Sequence, residues 1–211
     1  MKIAICSDIH GNLEAFENFL GELPSDIERI YCAGDLTGLC SNNDHDIAKC
    51  IRLVNEKCDR IVYGNHDARW RNDYPFSAFD YEPGGPKEKE RISNAYSDTE
   101  INIMNNLPEK IEEDGIVMAH ANPFAQDLNF CGYPAQNYVP SQHVTKFFKD
   151  AKNEIILYGH THDPHICHLG KFRTPKTKAV CINPGSLGIY DEYAIYDTYN
   201  RYFVDFRDLE Y

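Results

Sequence analysis

Lys2-Ile3-Ala4-Ile5-Cys6-Ser7-Asp8-Ile9-His10-Gly11-Asn12 is a short apolar run that ends abruptly in a carboxylate, an imidazole and a glycine. The same pattern returns four times. It appears in Ile30-Tyr31-Cys32-Ala33-Gly34-Asp35, in Ile61-Val62-Tyr63-Gly64-Asn65-His66-Asp67 and in Ile116-Val117-Met118-Ala119-His120. The fifth case is Ile155-Ile156-Leu157-Tyr158-Gly159-His160-Thr161-His162. Runs of this length, β-branched and aromatic and bounded by Gly, read as buried strands. Between the first three lie helical spacings: Leu13, Phe16 and Leu20 after the N-cap Asn12, then Ile47, Ile51 and Val54 after Ser41-Asn42-Asn43-Asp44. Alternating strands and helices predict an α/β layout with neighbouring parallel strands. Such sheets collect ligands beyond the carboxyl ends of their strands, where all five polar clusters fall.

Farther along, Ser97-Asp98-Thr99-Glu100 carries the spacing of a capping box and opens a helix reaching Leu107. After Gly159 short β runs follow, at 165–169, 178–182, 193–196 and 202–206, with 197–201 as the turn of a final hairpin. The second half is therefore expected to form a mixed or antiparallel sheet packed against the first. No boundary separates the halves, so residues 1–211 read as one domain.

The composition narrows the partners. Twenty-one Lys and Arg against 33 Asp and Glu leave a net charge of -12, which disfavours a stable nucleic-acid partner or an anionic membrane surface. A small phosphate-bearing substrate is not excluded, because a local cation reverses the field within one cleft. No run approaches the ~20 apolar residues of a membrane span. The amino terminus reaches Ser7-Asp8 too early for a signal-peptide apolar region, and the eight Cys contain no Cys-x-x-Cys. A cytoplasmic location with reduced, mostly buried thiols is the expectation.

Taken singly, each polar cluster is ordinary turn chemistry. Together they hold five of the nine His: 10, 66, 120, 160 and 162. Such a set suits a pair of divalent cations, which need a bridging carboxylate to offset their repulsion and imidazole or oxygen donors around each. Imidazole with Asp and Asn, without thiolate, suits manganese, iron, nickel or zinc. Asp8 and His10 can meet one cation if the chain bends sharply, as Gly11 permits.

The ordered series Asp8-x-His10, Gly34-Asp35, Gly64-Asn65-His66-Asp67, His120 and Gly159-His160-Thr161-His162 resembles the calcineurin-like metallophosphoesterase superfamily, of the small bacterial and archaeal phosphodiesterase type. The likeness spans positions 8 to 188 and includes Asn183-Pro184-Gly185-Ser186-Leu187-Gly188. It implies a four-layer sandwich of two packed mixed β-sheets flanked by helices. It further implies one metal held by Asp8, His10, Asp35 and His162, and a second held by Asp35, Asn65, His120 and His160. His66 matches the family's catalytic histidine, and Asn65 with His66 would face the substrate. The cofactors implied are two divalent transition-metal ions, manganese foremost, with iron, nickel or zinc as alternatives.

The implied reaction is attack on phosphorus by water that the two cations acidify, with His66 stabilising charge or protonating the departing oxygen. A phosphodiesterase acting on small diesters or nucleotides is the leading expectation. The segment before Leu107-Pro108-Glu109-Lys110 and the loop after His120 also resemble enzymes related to diadenosine-polyphosphate hydrolases. A phosphomonoesterase and a catalytically silent scaffold of the same fold are the alternatives. A phosphoprotein phosphatase fits poorly, since Leu36-Thr37-Gly38-Leu39 follows Gly34-Asp35. Asp67 either orients His66 or caps a turn, and Gly185 with Ser186 either shape the pocket wall or form a tight turn. Arg69, Trp70, Arg71, Asn122, Phe124, Phe130 and Tyr133 either stack a nucleobase and grip a phosphate or pack a satellite core. His45 and His143 read as capping or solvated residues, and His165 and His168 as strand residues facing opposite sides. Edge strands could pair subunits into an oligomer.

Overall fold

The computed structural model of the chain describes residues 1–70, 86–123, 155–169, 179–200 and 202–208. Strand β1 (Lys2–Cys6) is the middle strand of the first sheet. Its side chains alternate as a pleat requires: Ile3 and Ile5 enter one apolar core, Ala4 and Cys6 another. β2 (Arg29–Cys32) pairs with it in parallel, Ile3 opposite Arg29 through Cys6 opposite Cys32, and β3 (Arg60–Ile61) extends the parallel set. The third run is thus a strand for only two residues before Val62-Tyr63 turns toward the site.

Helices α1 (Leu13–Glu22) and α2 (Asp44–Lys57) make the crossovers. Asn12 caps the first by accepting from the Ala15 amide, and Asn43 caps the second by accepting from the His45 amide, where His45 sits in the opening turn. The expected α1 stripe is shifted: Ala15, Phe16 and Phe19 are buried, while Leu13 and Leu20 are only partly covered. Helices α3 (Pro86–Ala95) and α4 (Asp98–Asn106) add Ile92 and Met104 to the same core, and the Ser97–Glu100 capping box is present.

The second sheet runs β4-β5-β6-β8-β7, from β4 (Lys110–Glu113), β5 (Ile116–Ala119), β6 (Ile155–Leu157), β7 (His165–Leu169) and β8 (Ala179–Asn183). Its β5, β6 and β8 are parallel, whereas β4 and β7 are antiparallel to their neighbours, so the sheet is mixed. The final hairpin exists, but it does not join this sheet. β9 (Glu192–Asp197) pairs antiparallel with β1, and β10 (Tyr202–Asp208) closes the edge, giving the order β10-β9-β1-β2-β3. The reason lies in β9 itself. Ala194 and Tyr196 enter the core between the sheets while Tyr193 and Ile195 enter the core beneath the helices. A strand apolar on both faces belongs between layers, next to β1.

The two mixed sheets thus share a core of Ile3, Ile5, Tyr31, Val62, Met118, Leu157 and Ile182, and helices cover the outer face of the first. Among the described residues no helix is long and apolar enough to cross a membrane.

Candidate metal centre

The hydrogen-bond ladder between β1 and β2 continues past the strands. Asp8 N donates to Gly34 O at 2.9 Å, His10 N to Asp35 O at 2.9 Å and Gly11 N to Leu36 O at 2.7 Å. The Asp8-His10 and Asp35 loops therefore run side by side. The second sheet delivers His120 from the end of β5 and His160-Thr161-His162 from the end of β6, held together by Gly159 N donating to His120 O at 2.9 Å. Two contacts knit the sheets at this level: His160 N donates to Asp8 Oδ2 at 3.0 Å, and His120 Nδ1 meets Ala33 O at 2.7 Å.

Sharp turns aim the donors inward. Asp8, His10, Asp35, His160 and His162 all have φ between +53° and +69°, and they are five of the seven described non-glycine residues in that region. Gly11 bends as expected, at φ +78°, and the flanking polar residues share the left-handed conformation. Each such residue costs about 1–2 kcal/mol relative to ordinary backbone, so surrounding structure must hold it there. Glycine makes the close approaches. A Cβ at Gly64 would lie 2.0 Å from Asp35 Oδ1, and one at Gly159 would lie 1.9 Å from Ser7 Oγ and 2.5 Å from Asp8 Oδ2.

All seven predicted donors converge. Asp8 Oδ1 is 3.1 Å from His162 Nε2, and His162 Nε2 is 3.1 Å from His10 Nε2. On the other side Asn65 Oδ1 lies 3.1 Å from His120 Nε2 and 2.9 Å from His160 Nδ1, and His120 Nε2 lies 3.2 Å from Asp35 Oδ2. Asp35 belongs to both halves: it clusters with Asp8 and His120, and also with His10 and His66, in each case within 4.8 Å. His66 stands at the half-buried edge, its ring perpendicular to His10 at 5.0 Å and its amide donating to Asp35 Oδ1 at 2.8 Å.

These residues fit cations. Asp8 Oδ1 is buried without a hydrogen bond, although three imidazole nitrogens (His162, His10 and His120) approach within 3.9 Å. Two donors ~2.1 Å from one ion and 90–109° apart lie about 3.0–3.4 Å from each other, the spacing most of these pairs show. Electrostatics agree. Burial works against the Asp35 and Asp8 anions, yet His120, aided by other imidazoles, holds both below the usual carboxylate range. Burial likewise opposes a charged His120, but Asp35 and Asp8 raise it to about 10, so without a metal the carboxylates draw a proton into the centre. Burial lowers His10, and burial with His120 lowers His160 to about 4, leaving both imidazoles neutral with a lone pair to give. The Asp8 carboxylate, 3.1 Å away, raises His162.

For several residues the structure bears on readings that the sequence left open. Asp67 is buried, and its carboxylate accepts from the amides of Leu36, Thr37 and Gly64 and from the Thr37 hydroxyl, rather than from the His66 ring. Ser186 is fully buried and is no pocket wall: its hydroxyl donates to Asp8 O at 2.9 Å, beside Gly188 N donating to the same oxygen at 3.0 Å. Gly185, at φ +86°, packs on Glu192. Asn183 Nδ2 ties Gly159 O and Thr161 Oγ1, both at 2.9 Å, a role that the sequence signals only by an Asn before Pro-Gly-Ser. Trp70 is buried against Tyr96 and donates to Thr37 Oγ1, so it supports that loop from within, and Asn122 is buried. His165 hydrogen bonds the Tyr158 hydroxyl. The side chains of Arg69 and His168, together with Arg71, Phe124, Phe130, Tyr133 and His143, lie outside the described residues.

The model of the calcineurin-like phosphoesterase superfamily domain matches residues 1–201. The chain belongs to the calcineurin-like phosphoesterase superfamily. This superfamily is metal-dependent, in keeping with the donor clusters above. A metallophosphoesterase from Sphaerobacter thermophilus shares the fold, with a TM-score of 0.73 and 22% identity over 100% of this chain and 89% of that one. A putative diadenosine tetraphosphatase is more distant, with a TM-score of 0.53 and 14% identity over 98% and 93% of the two chains. An uncharacterized protein of Methanocaldococcus jannaschii is 28% identical over 207 residues, 88% of this superfamily member and 76% of its relative.

Proposed function

We propose that the protein is a dinuclear metal-dependent phosphodiesterase that hydrolyses P–O bonds of small phosphodiesters or nucleotides. The observation that carries this reading is the placement of Asp35 between two donor groups, Asp8-His10-His162 and Asn65-His120-His160. Asp8, His10, Asp35 and His162 would hold one divalent ion and Asp35, Asn65, His120 and His160 the other. Manganese fits first, with iron, nickel or zinc also suited to these donors. Bound there, the ions would supply Lewis-acid charge for the phosphoryl oxygens and a nucleophilic water at neutral pH.

The chain's own groups do the rest. Asn65 presents its carbonyl oxygen to the two imidazoles, which leaves its amide N–H groups to donate to a phosphoryl oxygen. His66 is fixed through its amide to Asp35 and stands half-buried beside His10, where its imidazole can protonate the departing alkoxide. A complete donor set with an acid at its edge supports turnover over a silent scaffold. The fold shared with the putative diadenosine tetraphosphatase motivates dinucleoside polyphosphates as a second substrate arm. A cytoplasmic location goes with this reading, since no disulfide joins the described cysteines.

The test is a screen of metal-reconstituted protein with Mn, Ni and Zn. It compares a chromogenic diester, its monoester, cyclic nucleotides and dinucleoside polyphosphates. Diester or anhydride cleavage with little monoester cleavage is expected. Preference for the monoester overturns the diesterase assignment, and inactivity across every metal and ester restores the scaffold.

A further inference from the structure

Among the described residues, the buried Asp67 carboxylate meets no cationic partner. Its four hydrogen bonds come from neutral donors: Thr37 N and Thr37 Oγ1 at 2.9 Å to Oδ1, Leu36 N at 3.1 Å and Gly64 N at 3.0 Å to Oδ2. Those donors divide between two loops. Leu36 and Thr37 directly follow Asp35, and Gly64 directly precedes Asn65. Trp70 Nε1 backs the arrangement by donating to Thr37 Oγ1 at 3.3 Å, and the His66 amide bonds Asp35 Oδ1 at 2.8 Å across the same gap. Burial and the nearby Asp35 work against the anion, and these four donors work for it. What a carboxylate uniquely offers is four acceptor positions fanned from one point.

We infer that Asp67 is a positioning residue: a clasp that fixes the loop bearing Asp35 against the loop bearing Asn65 and His66, and so sets the geometry of the second metal position. The inference rests on the dinuclear reading above. The two positions depend on the clasp unequally. Two of the four donors to the second ion, Asp35 and Asn65, sit on clasped loops. Three of the four donors to the first ion, Asp8, His10 and His162, sit elsewhere: Ser186 and Gly188 hold Asp8, Asn183 holds the turn before His162, and only His10 leans on the Asp35 loop, through its amide to Asp35 O.

Asp67→Asn is nearly isosteric yet cannot keep the clasp. With its carbonyl toward Leu36 and Gly64, its own N–H groups face the Thr37 amide; flipped, they face the Leu36 and Gly64 amides. At least one donor is left opposed by another donor. Metal-free wild type, Asp67→Asn and Thr37→Val are compared by Mn²⁺ titration calorimetry, by thermal melting and by amide exchange at Leu36, Thr37 and Gly64. In Asp67→Asn, exchange at these amides rises, and the second Mn²⁺ equivalent weakens by roughly 10- to 100-fold, the range for groups that orient metal ligands. The first equivalent changes less than about threefold. Thr37→Val, which loses only the hydroxyl, shows the same asymmetry with a smaller amplitude and stands in if Asp67→Asn does not fold.

A variant with unchanged exchange, or with both equivalents unchanged, overturns the clasp. Equal weakening of both equivalents in step with a lowered melting temperature makes Asp67 merely structural and overturns it as well. A wild type that takes up no second equivalent removes the dinuclear reading, and this inference falls with it. A wild type with two equivalents and an unaffected Asp67→Asn removes the inference alone.

Discussion

Gly64→Ala isolates close approach from every other property of the site. The glycine has no left-handed backbone to protect, so alanine meets no conformational objection; space alone decides. A Cβ there lies 2.0 Å from Asp35 Oδ1 and 2.5 Å from Asp35 N, whereas real Cβ contacts begin near 3.0 Å. The carboxylate must therefore retreat by about 1 Å to reach that limit. The backbone nitrogen cannot swing away as a side chain can, and Asp35 is buried on all sides. Overpacking of this kind costs about 1–3 kcal/mol. For a chain of this size that lowers the melting temperature by about 2–12 °C. A displacement of ~1 Å in a group that positions the reaction costs about 10²-fold in turnover.

Gly21→Ala is the matched control. It lies within α1, its Cβ would meet nothing within 4 Å, and replacing a helical glycine gains about 0.5–1 kcal/mol. The assay is thermal melting, metal titration and kcat/KM on a chromogenic diester for both variants. Gly21→Ala should melt higher with unchanged kinetics, and Gly64→Ala should melt lower with weakened metal uptake. Wild-type metal binding and turnover in Gly64→Ala would refute the reasoning that Asp35 has no room to yield.

Three further outcomes are expected. His66→Ala should keep its metal stoichiometry and lose about 10²–10⁴ in turnover of the diester, and full activity would remove His66 from the chemistry. Ser97→Ala should cost about 1 kcal/mol by breaking the capping box of α4, read as a shift in the denaturant midpoint at constant slope. The same helix start gives a pH dependence. Burial opposes the Glu100 anion, but the hydrogen bonds from Ser97 and Arg52 hold its carboxyl below the ordinary value. A depressed folded pKa stabilises above the unfolded value near 4.5 and is lost as pH falls through the folded one. Wild type should therefore lose more stability than Ser97→Ala as pH falls below about 5, and parallel pH curves would exclude Glu100 as the source.

Local chemistry is legible in the amino-acid order itself. Asn12 and Asn43 cap where they stand because an Asn side chain reaches amides two or three residues on, and Ser97 with Glu100 closes a box within one turn. The five apolar runs declare themselves as strands by composition, and the polar residues that end them need only be read off. Even so, α1 buries Phe19 rather than Leu20, because which flank of a helix faces the sheet is set by the crossover and not by the stripe.

Everything that joins distant segments belongs to the tertiary structure. His10 and His162 are 152 residues apart and meet at 3.1 Å only because two sheets pack so that their carboxyl ends share a seam. The turn between β9 and β10 is visible in the sequence, but its sheet is not, since a strand apolar on both faces declares burial without naming its neighbour. Left-handed φ at Asp8, His10, Asp35, His160 and His162 likewise opposes local preference and is imposed by the packed loops around them. Asp67 is the sharpest case: the sequence supplies a carboxylate beside His66, and its four partners are decided by where Leu36, Thr37 and Gly64 come to rest. Residue identity fixes what a side chain can bond, and only the packing of nonlocal segments fixes what lies within its reach.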